Sequence, residues 1–134
     1  MRIKGNFGFG GLGYIDANLI CARHNINGVV RFYIDTGSTT TTINQTDALR
    51  IGIPILLLIP SSNPTHSVSG LIYPHILPDC QILFNFIETI LLERIGDVHV
   101  LPLTPPWNSI SLLGLDVLKK FSIEFKQDHF VLVR

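Results

Sequence analysis

Two β-branched stretches stand on either side of a four-residue joint. Residues 29–34 (Val-Val-Arg-Phe-Tyr-Ile) run straight into Asp35-Thr36-Gly37-Ser38, and residues 39–43 (Thr-Thr-Thr-Thr-Ile) follow at once. Side chains branched at Cβ are stiff at χ1 and favour extended backbone, so both stretches predict strands and the joint predicts a tight loop. The same signature recurs at 56–59, 70–77, 80–87, 88–93, 98–103, 109–113, 122–125 and 130–133, with a stop at Pro105-Pro106. Residues 60–69, rich in Ser, Asn, Pro, Thr and His, predict the exposed end of a long hairpin. The most apolar stretch, 53–59, predicts a buried strand. Helices fit in two places only. Residues 44–50 carry capping residues and are stopped by Gly52 and Pro54, while 114–121 place Leu115, Leu118 and Phe121 at helical spacing with Lys119 and Lys120 at the cation-favouring end. The sum is an all-β domain with one or two short helices.

Composition narrows the partners. At 134 residues the chain suits one domain spanning 1–134, with 1–13 as a glycine-rich lead-in to the first strand. Ten basic residues balance ten acidic ones and only 15% of residues are charged, so no positive field gathers nucleic acid or anionic lipid. With 46% hydrophobic residues the chain can bury enough surface to fold. The N-terminus has no signal-peptide core and no stretch approaches a membrane span, which together predict a cytoplasmic protein with no membrane partner. Cys21 and Cys80 belong to no CxxC pair and read as two buried, reduced thiols.

Several motifs fail on context. Gly8-Phe9-Gly10-Gly11-Leu12-Gly13 has the G-x-G-x-x-G spacing of a dinucleotide loop, but the seven residues before it do not read as a strand and those after it alternate instead of coiling. Asp35-Thr36-Gly37-Ser38 also suits a phosphate loop of the actin and sugar-kinase type, yet that fold closes two large lobes on its nucleotide. Five histidines, at 24, 66, 75, 99 and 129, lack ligand spacing, so neither a metal nor another cofactor is expected.

Two distant segments carry more weight together. The apolar strand ending in Asp35-Thr36-Gly37-Ser38, and Leu112-Leu113-Gly114-Leu115-Asp116-Val117-Leu118 some eighty residues on, resemble the retropepsin-like aspartic proteases. The resemblance covers 29–133 in the family's order of elements. The Leu-Leu-Gly-Leu-Asp form is similar to the protease domains of cellular ubiquitin-shuttle proteins. Viral relatives often carry an Arg at position 115 and its acidic partner at position 39; Leu115 and Thr39 stand there instead, so that ion pair is missing. The resemblance implies an all-β closed barrel or sandwich, one lobe per chain.

The chemistry it implies needs a base for water and an acid for the leaving amide, both within hydrogen-bond reach. This chain has one Asp-Thr-Gly, so the second carboxyl would come from a second copy across a two-fold axis. The resemblance assigns catalysis to Asp35, Thr36 and Gly37 and support to Ser38, with Thr36 bonding across the axis and Ser38 holding the outer carboxylate oxygen. It assigns substrate contacts to Ser69 and Gly70 in a flap hairpin and to Ile110 and Leu112 in side-chain pockets, and dimer contacts to the Asp35 loops and terminal strands such as 130–133. The expected entity is a homodimeric aspartic endopeptidase acting on peptide or protein. Plainer readings stay open: Asp35 as a turn acid, 60–77 as an ordinary hairpin, Ile110 and Leu112 as core, and Trp107 as groove wall or packing. A non-catalytic retropepsin-like dimerisation or peptide-binding module is the rival of another class.

Overall fold

The computed structural model describes residues 1–67, 70–86, 89–102 and 110–134. Twelve strands appear among them: β1 Arg2–Phe7, β2 Gly13–Cys21, β3 Ile26–Ile34, β4 Thr42–Asn44, β5 Ile59–Pro60, β6 Thr65–Ser67, β7 Gly70–Ile72, β8 His75–Phe86, β9 Thr89–Leu101, β10 Ser111–Leu113, β11 Ser122–Phe125 and β12 His129–Val133. Two short α-helices, α1 Gln45–Arg50 and α2 Leu115–Leu118, interrupt them. Ten strands form one sheet in the order β11-β12-β1-β2-β3-β10-β4-β9-β8-β5. A further pairing of β2 with β8 closes its middle into a six-stranded barrel, β2-β3-β10-β4-β9-β8.

Alternation builds the barrel's interior. Strand β2 buries Ile15, Ala17, Leu19 and Cys21, two residues apart on one face, while β3 contributes Val30 and Phe32 and β8 contributes Ile82 and Phe84. Each large apolar side chain fully removed from water contributes roughly 1.5–3 kcal/mol. Strands β3 and β4, consecutive in sequence, do not pair with each other. Strand β10 lies between them, parallel to β3 with Leu113 opposite Ile34, and antiparallel to β4 with Leu112 opposite Thr42. That insertion brings the end of the chain beside the Asp35 loop.

The N-terminus departs from the expected lead-in. Arg2–Phe7 is a strand whose inward face is Ile3, Gly5 and Phe7, and it pairs with β12 from Arg2↔Val133 to Asn6↔His129. Gly5 is required by that packing: a Cβ there would lie 2.0 Å from the Phe130 ring. Strand β12 is thereby flanked by β1 on one edge and β11 on the other, so residues 130–133, expected at a dimer contact, have no free backbone edge. The open edge on this side of the sheet belongs to β11.

The stretch 53–59 is not a buried strand. Pro54, which has no N–H to give a sheet, leads into a 3-10 turn over Ile55–Leu57, and only Ile59–Pro60 pairs with β8. Ile53 and Leu58 are buried, but Leu56 is 98% exposed. The two strands expected at 88–93 and 98–103 are one, β9, bent at Gly96, whose φ of 88° favours glycine. Helix α2 is a single turn, so Lys119 and Lys120 do not cap a longer helix. Lys120 Nζ instead bonds the buried Glu93 at 3.1 Å and the Arg94 carbonyl at 2.9 Å, and Arg134 meets the other Glu93 oxygen. No helix among the described residues is long and apolar enough to cross a membrane.

Candidate active site

Asp35 emerges from the end of β3 and is half-buried. Its N–H donates to the Leu113 carbonyl of β10 at 3.1 Å, which fixes its backbone against the adjacent parallel strand. Its carbonyl accepts the Ser38 N–H at 3.2 Å, closing a turn, and one carboxylate oxygen accepts the Gly37 N–H at 2.9 Å. Among the described residues nothing donates to the second oxygen. The loop therefore holds one carboxyl by one oxygen and leaves the other presented. Thr36 and Gly37 are exposed at the tip, and a Cβ on Gly37 would sit 3.1 Å from that bonded carboxylate oxygen.

The loop continues into a clamp. Ser38 and Thr39 carbonyls accept the Leu115 and Asp116 N–H groups at 2.8 and 3.3 Å. Thr41, fully buried, donates its N–H and hydroxyl to the two Asp116 oxygens at 2.9 and 2.7 Å, and its hydroxyl oxygen accepts the Gly114 N–H at 3.2 Å. These bonds explain why the strand expected over 39–43 begins only at Thr42: α2 takes the Ser38 and Thr39 carbonyls and the Thr41 N–H, and among the described residues only the Thr41 carbonyl reaches a sheet neighbour, the His99 N–H of β9. Gly114 crosses the loop so closely that a Cβ would meet the Thr40 carbonyl carbon at 2.6 Å. The viral ion pair is missing from positions 39 and 115, and Asp116 at the next position ties loop to helix instead. Ser38, expected to support the Asp35 carboxylate, donates its hydroxyl to the Thr40 carbonyl at 2.8 Å and so braces the loop itself.

A second network anchors α1 to the same strand. Asn44 caps the helix by accepting the Asp47 N–H at 2.7 Å, and Ser111 of β10 donates to Asp47 at 2.6 Å while accepting the Asn44 N–H at 3.1 Å. On the other side of β3, Arg31 forks onto Asp16 at 2.9 and 3.0 Å and lies 4.1 Å from the Tyr14 ring centre. The Asp16 hydrogen bond holds the Arg31 pKa above its ordinary value. Both arrangements stiffen the frame on either side of the Asp35 loop.

The remaining expected residues fall as follows. Gly70 opens β7 with a φ of 112°, and β6 and β7 pair from Thr65↔Ile72 to Ser67↔Gly70 as a two-stranded sheet of their own. Ser69, expected with Gly70 in the flap, lies outside the described residues, as do Trp107 and Pro105-Pro106. Ile110 and Leu112 are half-buried, and Leu112 lies in β10 directly before the residue that holds Asp35. A cavity of about 220 Å³ opens beside the base of the hairpin, where His75 meets Leu56 and Leu101. Cys21 and Cys80 are free and buried, and no group of three or more potential metal ligands occurs among the described residues. The motif Leu112–Leu118 contains Asp116 but does not by itself disclose its tie to Thr41; an acid in the first turn of a helix that faces a hydroxyl-rich loop is the available signal.

No family model and no curated protein sequence matches the chain. Solved structures do. A retropepsin-like aspartic protease from Rickettsia conorii superposes with a TM-score of 0.61 at 22% identity, covering 98% of this chain and 90% of that one. The EIAV protease, complexed with the inhibitor HBY-793, gives 0.48 at 11% identity over 85% and 91%. The retroviral protease-like domain of Ddi1 from Leishmania major gives 0.46 at 15% identity over 85% and 82%. The chain has the retropepsin-like all-β fold.

Proposed function

We propose that this chain is a homodimeric aspartic endopeptidase, in which the Asp35 carboxyls of two protomers activate one water against a peptide bond. The observation that carries the reading is Asp35 itself, held through one oxygen by Gly37 with the other oxygen presented, on the retropepsin-like fold. Two carboxylates about 3 Å apart repel by roughly 5 kcal/mol at an effective dielectric near 20, so such a pair holds a single proton, as aspartic proteases are known to do. The protonated member hydrogen-bonds the scissile carbonyl while the ionised member takes a proton from water. The resulting hydroxyl adds to the carbonyl carbon, and the C–N bond breaks as a proton passes to the departing nitrogen.

The rest of the site fits that role. Thr36, exposed at the loop tip, would bond to a partner loop, and Gly37 would leave room for substrate backbone. The β6–β7 hairpin, hydrogen-bonded apart from the main sheet, is the flap that would cover an extended peptide. Ser69 and Gly70 would line it, with Ile110 and Leu112 facing apolar side chains of the substrate.

Asp35→Asn is the test. Peptide cleavage is expected to vanish while the circular dichroism spectrum and oligomeric state stay those of the parent; undiminished cleavage would sink the assignment. Activity is expected to peak at mildly acidic pH and to fall as both carboxyls ionise. The flanked position of β12 favours one alternative, a peptide-binding module that does not assemble the second carboxyl. Sedimentation that finds only monomers under conditions of peptide binding without cleavage would select it.

A further inference from the structure

Cys21 closes β2 and Cys80 lies in β8, and the two are register partners in the pairing that completes the barrel. Both are fully buried and both are free thiols. Cys21 Sγ donates to the Pro78 carbonyl at 3.2 Å, and Cys80 Sγ lies 3.8 Å from the same oxygen while donating to Leu77 at 3.3 Å. The two sulfurs thus converge on one carbonyl. Antiparallel partners have Cα atoms about 4.5–5.5 Å apart, inside the roughly 4.4–6.8 Å that a disulfide spans. The register of β8 with β9 also shifts between Leu77 and Gln81, so the backbone around Cys80 is released from regular pairing and can adjust.

We infer that Cys21 and Cys80 are a site of covalent cross-linking, joined as an intramolecular disulfide when the chain folds in the presence of a disulfide oxidant such as oxidised glutathione. One thiolate attacks the glutathione disulfide, forming a mixed disulfide and releasing one glutathione thiol. The second cysteine, deprotonated, attacks the protein sulfur of that mixed disulfide and expels the other glutathione. The protein loses two hydrogens and two electrons, and one oxidised glutathione becomes two reduced ones.

Burial determines when this happens. Removal from water, reinforced by the neighbouring Cys21, pushes the Cys80 thiol well above its ordinary pKa, and both sulfurs are fully buried, so the folded barrel offers almost no Cys80 thiolate and no path for glutathione. Exchange belongs to the stage before β2 and β8 zip together. Once formed, the bond ties the barrel's seam at the end remote from Asp35: Cys21 pairs with Ile26 at the start of β3, and the strand then runs about 25–30 Å to the catalytic loop. The cross-link therefore acts on stability and is independent of the proposed chemistry.

The chain would be unfolded, refolded in reduced and oxidised glutathione, and measured by intact mass and peptide mapping. A loss of 2 Da with a Cys21–Cys80 linked peptide is expected, together with a melting temperature about 5–10 °C above the dithiothreitol-treated sample. Folded, reduced protein exposed to the same buffer is expected to keep both thiols alkylatable after later unfolding. In Cys21→Ala the melting temperature should not depend on redox buffer. Two free thiols after oxidative refolding, a persistent glutathione adduct, a cross-link between chains, or a lowered melting temperature would each overturn the inference.

Discussion

Thr41 and Asp116, 75 residues apart in sequence, share two hydrogen bonds: the Thr41 N–H and hydroxyl each reach a different oxygen of one carboxylate, at 2.9 and 2.7 Å. Because Thr41 is fully buried, removing the carboxylate strands two donors away from water. Leaving a buried donor unpaired costs about 1–3 kcal/mol, so Asp116→Ala should destabilise the protein by about 3 kcal/mol and lower the melting temperature by about 10 °C. Asp116→Asn keeps one acceptor oxygen and should lose about half as much. Thermal denaturation of the two variants tests this ordering; an Ala variant as stable as the parent would dissolve the clamp.

Gly114 sets a steric limit at the same crossing. A methyl group there would lie 2.6 Å from the Thr40 carbonyl carbon and 2.9 Å from the Thr41 nitrogen, both backbone atoms that cannot swing aside. Gly114→Ala should displace the Asp35 loop, whose N–H is held by the preceding residue, Leu113. The expected outcome is a loss of about 2–3 kcal/mol in urea denaturation, accompanied by at least a tenfold loss of any cleavage activity.

The parts of this fold that were readable in the sequence are those fixed by local chemistry. Strand β3 and its tight loop follow from β-branching and from Asp and Gly at the joint, and Asn44 caps α1 because its side chain can accept the Asp47 N–H. The parts that were not readable depend on partners distant in the chain. Arg2–Phe7 alternates polar and apolar positions, but its inward set includes Gly5, which counts as buried only because Phe130 covers it. Residues 39–41 have the composition of a strand, yet the Thr39 carbonyl and the Thr41 N–H are taken by Asp116 of α2 and the Thr40 carbonyl by the Ser38 hydroxyl. Leu56 and Leu57 have the composition of core and stand in solvent, because Pro54 starts a turn at the sheet's edge. For the site, the Asp35 loop was legible as a motif, while its attachment through Leu113, Gly114 and Asp116 required the parallel placement of β10 beside β3.

Thr42 offers a stabilising change. It is 6% exposed, and its hydroxyl oxygen has no hydrogen-bond partner among the described residues. Its β4 position is fixed by Leu112 on one side and His99 on the other, so the hydroxyl cannot turn to water. Thr42→Val keeps the β-branched shape and replaces the orphaned hydroxyl with a methyl group. A gain of about 1 kcal/mol is expected in chemical denaturation at unchanged m-value. A loss of similar size would mean that the hydroxyl is paired.

The terminal strands carry a pH response. Glu124 of β11 reaches across β12 to Arg2 of β1 at 2.8 Å, with Lys126 at 3.7 Å on the same oxygen. The Arg2 hydrogen bond is the chief cause that holds the Glu124 carboxyl below its ordinary pKa. A carboxyl lowered in the folded state binds its proton more readily when unfolded. Its contribution to stability is therefore fully present above the ordinary glutamate range and is lost as pH falls through the folded value. The pair is largely exposed, so the effect is small and should shrink in high salt. Carbon-detected NMR titration should give Glu124 an apparent pKa below that of a free glutamate, moving back up in Arg2→Ala. A Glu124 titration unchanged by the loss of Arg2 would show that the contact does not tie β1 to β11 in solution.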